Sequence, residues 1–245
     1  MQLSHKEFED RLAQKQLTIA LIGMSGMGKS YRSKQLEDLG FATYGCDDVI
    51  AKNIAHLLST EDVGGLATWM GQPYTEGYKD REQLYLNLEE TITRDGINPT
   101  TVPGTVVGNS KSGSLASNSN SEARLPNSGN RVLDTTGSVI YCSPELQQNL
   151  KEKSLVVYLE SNQEVRDKLF EVYMRDPKPV VWGDSFARQD GESDHDALKR
   201  CYPKLLEFRA TRYKMLADVK LPFEIARNEA SSGEKFLEEI SNCLV

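Results

Sequence analysis

The sequence has no apolar run near the roughly 18 residues that a membrane-spanning helix needs. Leu17 to Ile22, the strongest run near the N-terminus, is far shorter, so a spanning role is excluded. The opening MQLSHKEFEDRL has neither an apolar core nor a small-residue cleavage site. No signal or transit peptide is legible, and a cytoplasmic location is expected. Cysteine and histidine are scarce and scattered: Cys46, Cys142, Cys201 and Cys243 form no C-x-x-C pair, and His5, His56 and His195 lie equally far apart. Reduced, buried thiols are expected in place of a disulfide or a zinc site. Positive charge is also short, with 29 Lys and Arg against 36 Asp and Glu for a formal charge of −7. Without a basic stripe interleaved with aromatics, neither nucleic acid nor an anionic membrane is an expected partner.

What is present fits one globular domain over residues 1–245 and a monomer. Ser4 followed by Glu7 has capping-box spacing and opens an amphipathic helix to about Gln16. Leu17 to Ile22 is a continuous apolar run that ends in glycines, as in a strand buried on both faces of a parallel sheet. A helix from Lys29 to Leu39 stops at Gly40, and Phe41 to Tyr44 is a second strand. Helical patterns follow at Asp48 to Leu58, Glu61 to Met70 and Glu76 to Arg94. Arg131 to Thr135 is the third strand, Pro144 to Lys151 a helix, Ser154 to Glu160 the fourth strand and Gln163 to Met174 a helix. The polar stretch 175–194 reads as a lid. A long helix from His195 to Asp218, a fifth strand from Val219 to Ile225 and a helix from Gly233 to Leu244 complete the chain. The alternation predicts an α/β, three-layer P-loop NTPase fold with a mostly parallel five-stranded sheet and ligands at the carboxyl ends of its strands. Gly96 to Asn130 stands apart, because 24 of its 35 residues are Gly, Ser, Asn, Pro or Thr. Such a segment buries too little surface to offset its ordering entropy and is expected to be a disordered insertion.

The strongest local signal is Gly23-Met24-Ser25-Gly26-Met27-Gly28-Lys29-Ser30, which fits G-x-x-x-x-G-K-[ST] between a buried strand and a helix. Glycines let successive N–H groups converge on phosphate oxygens, and the next helix adds its positive end. Lys29 would reach the β- and γ-phosphates of ATP, the Ser30 hydroxyl would ligate Mg²⁺, and Tyr31 belongs to the same nucleotide-binding stretch. Phosphoryl transfer also needs a carboxylate beside the attacking hydroxyl and another for Mg²⁺. Asp47 and Asp48 follow the second strand and Asp134 ends the third, so all open into one crevice. Asp48 is read as a helix N-cap and Asp47 as a functional carboxylate. Asp134 serves either Mg²⁺ or a structural hydrogen bond to the loop.

Further segments carry a family pattern: Gly40-Phe41 through Asp47-Asp48-Val49-Ile50, Tyr78-Lys79-Asp80-Arg81-Glu82, Asp134-Thr135-Thr136-Gly137-Ser138, Lys178-Pro179-Val180-Val181 and Arg209-Ala210-Thr211-Arg212-Tyr213. From the P-loop to the last helix the chain resembles the shikimate kinases, which transfer the ATP γ-phosphate to the 3-hydroxyl of shikimate. The resemblance implies that Asp47 contacts the acceptor hydroxyl and is the candidate base, and that it also belongs to the magnesium network. Gly45 stands where the family has a further aspartate. Lys79 stands for an arginine that grips the substrate carboxylate, with Arg81 beside it, and Arg209 is implied as the second such arginine. Asp134-Thr135-Thr136-Gly137-Ser138 sits where the family has a glycine triplet, of which only Gly137 survives to approach the substrate. Lys178 replaces the lid arginine, with Arg175 nearby as a guanidinium. Arg227, beyond the fifth strand, falls where the family contacts adenine.

The expected activity is thus ATP-dependent phosphorylation of a small anionic acceptor, shikimate foremost, with Mg²⁺ as cofactor. Two alternatives stand beside it. One is a P-loop kinase for a different polyol or hydroxy acid. The other is a non-catalytic nucleotide-binding module that uses its insertion as an interaction tether.

Overall fold

The computed structural model describes residues 2–55, 69–98, 129–178 and 180–244. The helix expected from Glu61 to Met70 lies almost wholly outside them, as do most of the insertion and Pro179. Five strands form one sheet: β1 (Thr18–Ile22), β2 (Ala42–Gly45), β3 (Arg131–Asp134), β4 (Leu155–Leu159) and β5 (Val219–Leu221). Their order is β2-β3-β1-β4-β5, and every pairing is parallel. Every residue of β1 and β4 is buried, as strands covered by helices on both faces require. No described helix is long and apolar enough to cross a membrane.

The helices are α1 (His5–Ala13), α2 (Lys29–Asp38), α3 (Cys46–Ile54), α4 (Tyr78–Ile97), α5 (Pro144–Lys153), α6 (Gln163–Arg175), α7 (Asp194–Leu216), α8 (Phe223–Ala226) and α9 (Gly233–Asn242). Ser4 and Glu7 form the expected reciprocal capping box of α1. Three boundaries depart from expectation. Helix α3 begins at Cys46 with Gly45 as its N-cap, so Asp48 is a first-turn residue and not the cap. Strand β5 stops at Leu221, because Pro222 has no N–H for the ladder and starts the short α8. Gly96, read as the first residue of the insertion, lies inside α4. A Cβ there would come within 2.6 Å of Leu133 Cδ1 and 2.9 Å of Tyr44 Cδ1, so only glycine lets this helix lie so close to the sheet.

The far end of the insertion is tied to the body. Asn130 accepts from the Leu17 amide at 3.0 Å and donates to the Leu12 carbonyl at 3.0 Å. Parallel register then sets the site: Asp134 faces Leu21 of β1 and Gly45 of β2. The carboxyl ends of β1, β2 and β3 open side by side, and the P-loop, the start of α3 and the 135–138 turn meet there.

Candidate active site

The P-loop leaves β1 through Gly23, whose φ of +147° and close approach to β4 both exclude a side chain. A Cβ there would lie 2.9 Å from the Leu159 carbonyl oxygen. Gly28 caps α2 in the left-handed region without any side-chain hydrogen bond, so its first-turn amides are unclaimed by a cap. These amides and the positive helix end suit an anion. Lys29 is buried behind the loop and donates to the carbonyls of Gly23 at 3.1 Å and Met24 at 3.3 Å. Burial lowers its pKa, against the attraction of Asp134 and Asp47.

The loop forms one wall of a cleft of about 620 Å³. Its lining brings together Ser25, Gly26, Gly28, Lys29, Ser30 and Tyr31 of the nucleotide stretch with Asp47, Gly137, Lys178, Arg209 and Arg227. Met24 and Met27 are buried beneath the loop, and Gly23 lies behind it. Asp47 opens onto the cleft from the first turn of α3. Restricted hydration raises its pKa, against the Lys29 charge and together with repulsion from Asp134. Burial also raises the pKa of Asp134, opposed by a hydrogen bond from Ser30 and by Lys29. Its Oδ1 is buried without a partner. An orphaned carboxylate oxygen beside a P-loop serine fits a hard cation, which takes its remaining oxygens from phosphate and water. Among the described residues no cluster of three His, Cys, Asp or Glu side chains is present to hold a metal without such outside ligands.

Arg209 projects from the buried side of α7, and its Nη2 donates to the Val181 carbonyl at 2.6 Å. Its Nε is buried without a partner, and its guanidinium stands over the Tyr141 ring at 5.6 Å. Gly137 lies between this guanidinium and the P-loop. A Cβ there would be 3.7 Å from both Arg209 Nη1 and the Ser25 amide nitrogen. Its carbonyl accepts from the Tyr213 hydroxyl.

Other expected site residues lie elsewhere. Lys79 is exposed and binds Glu82 at 2.9 Å and the Gly183 carbonyl. Arg81 donates to the carbonyls of Met70 and Glu76, each at 3.0 Å. Arg175 is an exposed residue in the last turn of α6. None of the three lines the cleft. The stretch read as a lid is well anchored at 180–183. Tyr78 donates to the Val180 carbonyl at 2.7 Å, and Glu82 accepts from the amides of Trp182 at 2.6 Å and Gly183 at 2.9 Å.

Sequence reasoning missed Tyr85 and Ser138, which line the cleft, and Glu89 beneath them. It also missed Arg32. This wholly buried residue donates to the carbonyls of Ile225, Ala226, Asn228 and Ser231, and so holds the loop that carries Arg227. The signal for the buried carboxylates was present: Tyr78, Glu82, Tyr85, Glu89, Ile92 and Gly96 repeat at the helical period that marks one buried face.

No protein-family model and no curated protein sequence matches the chain. Solved structures do. Shikimate kinase from Acinetobacter baumannii in complex with shikimate is 16% identical over 93% of each chain, with a TM-score of 0.51. Shikimate kinase from Bacteroides thetaiotaomicron is 16% identical over 92% of this chain and 97% of its own, with a TM-score of 0.48. Shikimate kinase from Aquifex aeolicus is 18% identical over 91% and 94%, with a TM-score of 0.47. The chain therefore has a shikimate kinase-like α/β fold.

Proposed function

We propose that this chain is an ATP-dependent small-molecule kinase that moves the γ-phosphate of ATP to a hydroxyl of a small anionic acceptor, with shikimate as the leading acceptor. One observation carries the reading. A P-loop lysine, a carboxylate and a buried guanidinium, Lys29, Asp47 and Arg209, line the same cleft. That is the minimum set for phosphate neutralisation, hydroxyl activation and acceptor binding.

The amides of Ser25 to Ser30 cradle the phosphates, and Lys29 exchanges the Gly23 and Met24 carbonyls for phosphate oxygens. Ser30 and Asp134, with Asp47 nearby, would hold Mg²⁺, which when bound offsets charge on the phosphates. Asp134 is the cross-strand partner of Gly45, and its carboxylate serves in place of the aspartate that the resemblance expected at Gly45. Asp47 orients the acceptor hydroxyl and takes its proton, a task favoured by its raised proton affinity. Arg209 binds the anionic group of the acceptor, Lys178 supplies charge from the closing segment, and Arg227 flanks the nucleotide.

The deciding experiment follows ADP release from the chain with Mg·ATP, with and without shikimate, beside Asp47→Asn and Lys29→Ala. Shikimate should stimulate release in the wild type, and each variant should lose at least about 100-fold in rate. ATP binding with no response to shikimate would discard shikimate as acceptor. A second acceptor class is favoured by the diversion of Lys79 and Arg81 away from the cleft. Arg209 then holds the acceptor anion without a second guanidinium, which suits a hydroxy acid or anionic polyol other than shikimate.

A further inference from the structure

Beneath the acceptor end of the cleft lies a carboxylate that this scheme does not use. Glu89 is wholly buried on the inner side of α4. Thr136 Oγ1 donates to its Oε1, and Ser138 Oγ donates to its Oε2 at 2.6 Å. The Ser138 amide closes the turn on Thr136 Oγ1 at 3.0 Å. Tyr85, one turn before Glu89 on α4, is buried and lines the cleft beside Ser138. The two donors to Glu89 are thus hydroxyls, not a guanidinium or an ammonium. They flank Gly137, the residue that lies between Arg209 and the P-loop amides.

An ionised carboxylate accepts hydrogen bonds and donates none. Its two oxygens draw the protons of Thr136 and Ser138 inward, and the lone pairs of Ser138 Oγ are left for the cleft. A freely rotating hydroxyl would offer a ligand either a proton or a lone pair. One bound to Glu89 offers lone pairs alone. Ser138 lines the cleft together with Asp47, itself an acceptor of hydrogen bonds, while Arg209 supplies the donors for an anion.

We propose that Glu89 is a positioning residue that sets acceptor specificity: it fixes the 136–138 turn so that the cleft selects a small anionic polyol donating one hydroxyl to Ser138 and presenting another to Asp47. The substrate half of this proposal rests on the kinase reading. The positioning half rests on the geometry of the turn alone.

The test compares the wild type with Glu89→Gln, Glu89→Asp and Ser138→Ala at pH 8, above the value of about 7 to which burial raises Glu89. In Glu89→Gln the amides of 136–138 should exchange hydrogen about tenfold faster, while the Mg·ATP dissociation constant stays within about twofold. Against a panel of shikimate, polyols and hydroxy acids, KM for the best acceptor should rise about tenfold, with kcat within about threefold. Glu89→Asp should recover part of that loss, because it restores the charge. Ser138→Ala leaves the buried carboxylate in place and should raise KM equally for that acceptor. Unchanged exchange at the turn in Glu89→Gln overturns the positioning role, and an unchanged KM in both Glu89→Gln and Ser138→Ala overturns the specificity role. If the wild type phosphorylates nothing in the panel, the kinase reading fails with the specificity role that depends on it, and the exchange experiment alone decides positioning.

Discussion

Glu89 ties the chemistry of one residue to the stability of the whole. Burial pushes its pKa from 4.5 up to about 7, against the hydrogen bonds from Ser138 and Thr136 and with added repulsion from Asp47. Tyr85, Cys46, Cys142 and Tyr213 also feel its charge, and Arg209 and Lys29 are the cations that act on it. The unfolded chain releases this proton near pH 4.5, whereas the folded chain keeps it to about 7. The stabilisation is therefore complete below the unfolded value and is lost as pH rises through the folded one. The difference corresponds to about 3 kcal/mol. Urea unfolding of the wild type and Glu89→Gln at pH 4.5 and pH 8 should show an additional loss of this size in the wild type, beyond what the raised Asp47 and Asp134 contribute to both proteins, and parallel curves would place Glu89 near its ordinary value. The residues of this network were only partly legible. The resemblance already singled out Glu82, whereas Glu89 becomes visible only when its period is set against Tyr78, Glu82 and Tyr85. The family resemblance placed Lys79 and Arg81 near the site, but carbonyls at Gly183, Met70 and Glu76 draw them away, and a one-dimensional pattern does not contain those partners.

At the scale of elements the sequence was more informative, because the local signals are physical. The apolar run of β1, the glycines of the P-loop and the Ser4–Glu7 box each specify a conformation without outside help, and each is present. Boundaries set by tertiary contact were not legible. Gly96 looked like the first glycine of a loop, and its place in α4 depends on Leu133 and Tyr44, which arrive from two different strands. Gly96→Val should push α4 from the sheet and destabilise the fold by about 2 kcal/mol. Because Gly96 is far along α4 from the P-loop, the Mg·ATP dissociation constant should change little. A thermal midpoint equal to that of the wild type would mean that the last turn of α4 moves aside without loss.

Across the whole molecule the parallel sheet collects the carboxyl ends of β1, β2 and β3, and two long helices tie down residues 180–183 beside them. Glu82 of α4 holds the amides of Trp182 and Gly183, Tyr78 holds the Val180 carbonyl, and Arg209 of α7 holds the Val181 carbonyl. Packing supports the same segment: Trp182 is wholly buried against Tyr173, Tyr202 and Phe186. On the proposed kinase reading, the guanidinium that would hold the acceptor also anchors residues 180–183 through the Val181 carbonyl, so acceptor binding and that anchor would share one side chain. Glu82→Ala separates the two supports, since it orphans the Gly183 amide and leaves the Trp182 amide only the Tyr78 hydroxyl at 3.1 Å, without touching the aromatic cluster or the P-loop. Loss of these buried hydrogen bonds to a carboxylate should destabilise the fold by about 3 kcal/mol. In a Trp69→Phe background, where Trp182 is the only tryptophan, its emission should also shift to the red as water reaches the ring. A blue, wild-type emission in that variant would show that the rings alone hold the segment shut and that Glu82 serves the Tyr78 hydroxyl instead.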